Sequence, residues 1–192
     1  MEEKNVNVEQ LALISQMINT AKGQIKKGAA TRFLIWGYTI CICCILNYVL
    51  LQIPGVGTKA FAVWWLVLVG FGASVWDKRR KRLNKTHKSY LDDVVGDLWT
   101  AFAISMVILG VNSYYLQLFT YPMLMMLYAI GLYVSGSIYK FKPLKIGGVI
   151  CWACTLVAFH VSFENQLLVL AFSLIAGYII PGHLLQKQSA HV

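Results

Sequence analysis

Cys151-Trp-Ala-Cys154 has the two-residue spacing of a dithiol redox centre, and on a helix that spacing puts both thiols on one face. A working dithiol needs a thiolate and a route to an oxidant. This pair instead lies in an apolar run, where burial disfavours the thiolate and makes the group inert. Cys41-Ile-Cys-Cys44 sits near the middle of another such run. The five cysteines therefore read as small, polarizable packing residues, and no disulfide framework, metal or cofactor is expected.

The strongly polar side chains inside apolar runs are few, and several share a depth. Asn47 lies far along the first run, Asn112 far along the third and His160 near the end of the fifth, with Gln52, Gln117 and Glu164 at the rim just beyond. Such groups converge on a shallow, outward-facing ligand pocket if their helices are neighbours. Otherwise each amide bonds to a nearby helix, and His160 sits at the wet interface. A third constellation is Lys78-Arg-Arg-Lys-Arg82, which leaves an apolar run directly. Attraction to anionic headgroups, worth about 1 kcal/mol per basic residue, accounts for it. Nucleic acid is not an expected partner, because no aromatic or groove-reading element accompanies the charges.

Apolar helices must position these groups. With 58% hydrophobic and 13% charged residues in a chain of 192, the solvent expected for most of the surface is lipid. A hydrocarbon layer roughly 30 Å thick needs about 20 apolar helical residues. Six runs qualify: 33–52, 60–76, 100–117, 121–139, 146–162 and 166–185. The runs are continuous, without the alternation of a barrel strand. No signal peptide is expected, since a polar segment precedes the first run. The fold expected is all-α: an integral membrane six-helix bundle of three antiparallel transmembrane hairpins over 33–185, with an N-terminal amphipathic interfacial helix within 1–32, a basic loop over 77–99 and a tail over 186–192.

The connections alternate in charge. Residues 53–59, 118–120 and 163–165 carry only Lys59, and the other 16 of the 17 basic residues lie on the opposite side: five before the first run, seven in Lys78 to Lys88, then Lys140, Lys142, Lys145 and Lys187. The positive-inside rule then predicts both termini in the cytosol, in a bacterial inner membrane. Trp76, Trp99 and Tyr139 are expected at the cytosolic interface and Trp64, Trp65, Tyr114, Tyr115 and Tyr121 at the outer one.

In Val8 to Arg32, Leu11, Ile14, Met17, Ile18, Ala21 and Ile25 recur at helical spacing, with Lys22, Lys26 and Lys27 on the polar side. Tyr90 to Leu98 makes a shorter stripe leading obliquely into the third run. Pro181 removes the bond to the Gly177 carbonyl and predicts a kink. Gly131/Ser135 and Ser173/Gly177, with Gly70/Ser74, place small residues four apart and predict close packing of the even-numbered spans about the bundle axis. The fourth and sixth spans align at an offset of 46, a weak sign of duplicated hairpins.

Lys140-Phe-Lys-Pro-Leu144, Gly147-Gly148 and Gly177-Tyr-Ile-Ile-Pro-Gly182 resemble a group of small bacterial six-span membrane proteins of unknown function. The resemblance covers most of the chain and implies no activity. Ser135 and His183 resemble the serine and histidine of rhomboid proteases, but Tyr133 replaces the first glycine of that family's Gly-x-Ser-Gly and the serine lies toward the wrong side. No Asp, Glu, Lys or Arg lies within the six runs, which disfavours an ion-coupled pump. The function expected is a non-catalytic membrane protein acting through anionic lipids, or through a membrane or cytosolic protein partner, on its basic face. The alternative is a small-molecule binding or transport subunit, similar in span number to the substrate-binding subunits of energy-coupling-factor transporters.

Overall fold

A computed structural model describes residues 28–82 and 90–190. The amphipathic helix expected within 1–32 falls, apart from its last turn, outside the described residues, and so do residues 83–89 of the basic loop and the last two of the tail.

The protein is all-α. Helix α1 (Gly28–Leu51) is followed by a 3-10 segment, Gly57–Trp65, that runs into α2 (Leu66–Arg82). Then come α3 (Tyr90–Val111), the one-turn α4 (Ser113–Leu116) with a 3-10 turn at Gln117–Phe119, and α5 (Thr120–Ile138). Helix α6 (Lys142–Ala158) and the run α7 (Phe163–Leu174), a π segment at Ile175–Ile179 and α8 (Ile180–Ala190) complete the described chain. Five helical stretches are long and apolar enough to cross a membrane: Gly28–Leu51, Gly57–Trp76, Asp93–Val111, Ser113–Ile138 and Phe163–Gln188. The sixth, α6, has 17 residues, so its rise is about 26 Å at 1.5 Å per residue, short of a roughly 30 Å hydrocarbon layer.

Helix ends depart from the apolar runs because hydropathy marks where lipid-compatible side chains lie, whereas backbone bonding marks where a helix stops. Helix α6 begins four residues before the apolar run at 146, with Pro143 in its first turn where a missing N–H costs nothing. It ends at Ala158, which leaves His160 in the turn beyond. Helix α3 absorbs the stripe at 90–98 into one continuous helix and stops at Val111. Between α1 and the 3-10 segment the chain turns through Gly55 and Gly57 at φ +88° and +47°, a region costly for side chains with a Cβ.

The fourth and sixth spans form the centre. Half of the apolar stretch is buried in Ser113–Ile138 and in Phe163–Gln188, against 11% in Gly57–Trp76 and 6% in Asp93–Val111. The tightest seams use glycines. A Cβ on Gly148 would lie 2.9 Å from the Ala129 carbonyl oxygen, and one on Gly136 would lie 2.8 Å from the Lys145 nitrogen, so α5 and α6 touch backbone to backbone. Such approaches multiply the weak dispersion contacts that hold apolar helices together.

The second span is peripheral, which corrects the expectation that Gly70 and Ser74 bring it to the bundle axis. Gly70 does pack on α1, since a Cβ there would stand 2.8 Å from Thr39 Cγ2. Ser74, one turn further on, is only half-buried, and its hydroxyl oxygen is enclosed without a hydrogen-bond partner among the described residues. Small residues four apart let one face of a helix approach a neighbour, but they do not cover the other faces. Leu66, Leu68, Val69, Phe71 and Trp76 stay exposed around this pair, and the span reaches beyond α1 only through Phe61 and Trp64 at its start, which pack on Phe163 and Tyr121.

Pro181 acts through a π turn. Its missing N–H cannot serve Gly177, and the chain widens just before it, where the Ile180 N–H bonds to the Ile175 carbonyl. A π bulge is a recognised response to an interrupted helix ladder. It sets Tyr178 into an aromatic centre, edge-on to Phe33, Trp99 and Tyr128 at 5.8, 6.2 and 5.5 Å between ring centroids.

Several aromatics expected at an interface are covered by neighbouring helices. Trp99 lies against Phe33, Phe102 and Tyr178, while Tyr121 and Tyr139 are buried. Hydropathy predicts depth along a helix but not which face turns inward. Trp65, Trp76, Tyr114 and Tyr115 are the ones left exposed.

Candidate functional site

Contacts gather the helix ends into two groups. At one end Arg32 of α1 donates to the Tyr139 hydroxyl after α5 at 3.5 Å, and Tyr38 of α1 pairs with His183 of α8 at 2.8 Å. At the other end Asn47 of α1 donates to the Ala60 carbonyl at 3.3 Å, and Gln52 donates to Glu164 at 3.1 Å. The first is the basic end, where Arg32, Arg79, Lys140, Lys142 and Lys187 are exposed. Lys145 is held over the Tyr133 ring, 5.0 Å from its centroid. Arg79 is the described side chain of the basic cluster; the side chains of Lys78, Arg80, Lys81 and Arg82 fall outside the description.

At the opposite end the polar residues take separate surroundings. Asn47 is fully buried, and its carbonyl oxygen has no protein partner among the described residues. Asn112 is exposed and donates to the Ile108 carbonyl of its own helix at 2.8 Å. His160 is exposed in the turn after α6, and Gln117 is exposed with φ +43°. Only Gln52 and Glu164 of the rim group are brought into contact, and they tie the first connection to the start of α7. Helix N-termini favour a carboxylate, which suits Glu164 in the first turn of α7.

Gln166 is the polar group that sequence reasoning missed. It is 1% exposed, and its amide nitrogen reaches the carbonyls of Leu118 at 2.9 Å, Ala158 at 3.0 Å and Val161 at 3.5 Å. One side chain thus satisfies backbone acceptors from two different turns. Its position as the sole amide opening the last apolar run was the available signal. Phe61, Trp64, Tyr121 and Phe163 pack ring on ring.

The nucleophile candidates do not meet their partners. Ser135 is wholly buried with an unpartnered hydroxyl, whereas His183 is exposed and bonded to Tyr38. Cys41, Cys43, Cys44, Cys151 and Cys154 are free and buried, and Cys151 donates to the Ser173 carbonyl at 3.5 Å. Among the described residues no three His, Cys, Asp or Glu side chains cluster as metal ligands. Ser173 and Gly177 do pack inside, Gly177 against Cys151 and Leu132, and Gly131 lies against the edge of Trp99.

These features define an all-α protein built on helices long and apolar enough to cross a membrane, with the described basic side chains other than Lys59 at one end. Compared with family models, with curated proteins and with solved structures, the chain shows no match.

Proposed function

We propose that this chain is a non-catalytic, polytopic inner-membrane protein whose six helices span the bilayer as three antiparallel hairpins. Its basic end faces the cytosol and meets anionic lipid headgroups or a protein partner there. The observation that carries the reading is the division of charge: 16 of 17 Lys and Arg residues belong to one set of helix ends, and Lys59 alone to the other. A cytoplasmic leaflet carries negative surface potential, and each basic residue near it contributes about 1 kcal/mol of attraction. The short α6 is compatible with a bundle that spans the bilayer, since it opens on the exposed Lys142, whose long stem can reach the headgroup level from a helix end below it.

The test is the lipid that accompanies the protein. When the full chain is excised from a mixed membrane in polymer nanodiscs, the lipids counted by mass spectrometry should be enriched in anionic headgroups. That enrichment should fall as salt is raised. Lipids in the bulk ratio at low salt would sink the proposal.

A further inference from the structure

We infer that an open groove on α8, lined by Ile180, His183, Leu184, Gln186 and Lys187, is a seat for one anionic phospholipid. The inference rests on the proposed lipid contact of the basic end and assigns it a place. The groove joins two chemistries at one level of the molecule. Ile180 and Leu184 are exposed apolar side chains four residues apart, which puts them one above the other on the helix and offers a track for an acyl chain. His183 and Lys187 repeat the same spacing one step round and toward the end of the helix, where a phosphate would lie.

Among the described residues Lys187 has no ion-pair partner, and helices α1, α5, α6 and α8 contain no Asp or Glu, so an anion from outside can complement it. Tyr38 sharpens the site. Its hydroxyl lies 2.8 Å from His183 Nε2, and in the tautomer whose Nε2 accepts that proton the ring N–H is on Nδ1. Among the described residues Nδ1 has no protein partner, and in that tautomer it can donate to a phosphate oxygen, while Lys187 supplies a movable point charge. The edge-to-face contact of Tyr38 with His183, 6.0 Å between centroids, holds the ring in that orientation. A free phosphate would use only the polar half of this groove; a phospholipid uses both.

The test is native mass spectrometry of the full chain in neutral detergent, with phosphatidylglycerol or phosphatidylcholine added. The wild-type chain should retain one tightly held phosphatidylglycerol, and Lys187→Gln should weaken that retention about fivefold, the effect of one basic residue near a headgroup. Lys142→Gln, at the same end but off the groove, should weaken that retention clearly less than Lys187→Gln does. If both variants lose lipid equally, the groove is overturned while the general attraction to anionic lipid stands. If the wild-type chain prefers neither lipid, both fall.

A second measurement identifies the occupant. In a background freed of native cysteines, Leu184→Cys should react quickly with a maleimide in lipid-free detergent and slowly once phosphatidylglycerol is added, with glycerol phosphate giving no protection. Slow reaction without any lipid would mean that the protein itself covers the groove and would overturn the proposal, as would full protection by glycerol phosphate.

Discussion

Gly147 of α6 and Gly177 of the π segment meet backbone against backbone: a Cβ on Gly147 would stand 2.8 Å from the Gly177 Cα and 3.0 Å from its carbonyl oxygen. That carbonyl is the one that Pro181 deprives of its helical donor. The glycine pair lets α6 close over the irregular stretch. Gly177 is hemmed in further by Cys151 Sγ and Leu132 Cδ1, at 2.8 and 2.9 Å from its own would-be Cβ.

Gly147→Ala should therefore destabilise the protein by about 1–3 kcal/mol, because the added methyl meets backbone that cannot move aside. Gly131→Ala should cost less, since the nearest atom is the tip of the Trp99 ring at 3.3 Å. Gly72→Ala has nothing within 4 Å and should be neutral or slightly stabilising, as an added helix former is. Thermal unfolding in detergent checks the order of the three. Equal stability across the series would refute the close approach of α6 and the π segment.

Gln166→Leu should lower stability by about 2–3 kcal/mol, because it strands carbonyls that Gln166 now serves in an environment with little water. Gln52→Leu removes an exposed hydrogen bond to Glu164 and should cost about 0.5 kcal/mol or less. Hydrogen exchange offers a local readout: amides of the turns at 117–120 and 158–163 should lose protection in the Gln166 variant and keep it in the Gln52 variant.

Asn47, Asn112 and His160 should separate in their response to leucine. Asn47→Leu abandons the bond to Ala60 inside the protein and should destabilise by about 1–2 kcal/mol. Asn112→Leu and His160→Leu act at exposed positions and should stay within about 0.5 kcal/mol of wild type. Chemical denaturation of the three single variants decides it. Comparable large losses at all three would favour a shared polar pocket.

Orientation is testable without a ligand. In a cysteine-free background, a thiol at Thr58 should react with an impermeant reagent applied to intact cells, and one at Asn84 should react only after the membrane is opened. The opposite pattern would invert the proposed topology and remove the basic end from the anionic leaflet.

The apolar runs, the helical class and the two-sided charge pattern were legible in the chain because each depends on composition summed along a local stretch. The cysteines, too, were readable as buried packing residues from their apolar neighbours alone. Helix ends were less so. The run at 146–162 became a helix at 142–158 because a lysine or proline in the first turn interrupts hydropathy without interrupting backbone bonding.

What a face touches was not legible at all. Trp99 and Tyr121 have the composition of interface anchors, yet both turn inward, because rotation about the helix axis is set by the partners that a helix meets. Gly70/Ser74 has the same spacing as Gly131/Ser135, yet the first pair lies on a peripheral span and the second inside the central one. Tyr38 and His183 are 145 residues apart, and no local pattern links them. Gln166 could be flagged as a lone amide, but its three acceptors come from two turns that only the packed chain brings together. Local composition decides which segments avoid water. The contacts among distant segments decide which polar groups are satisfied, which are left at the surface, and hence where a ligand can bind.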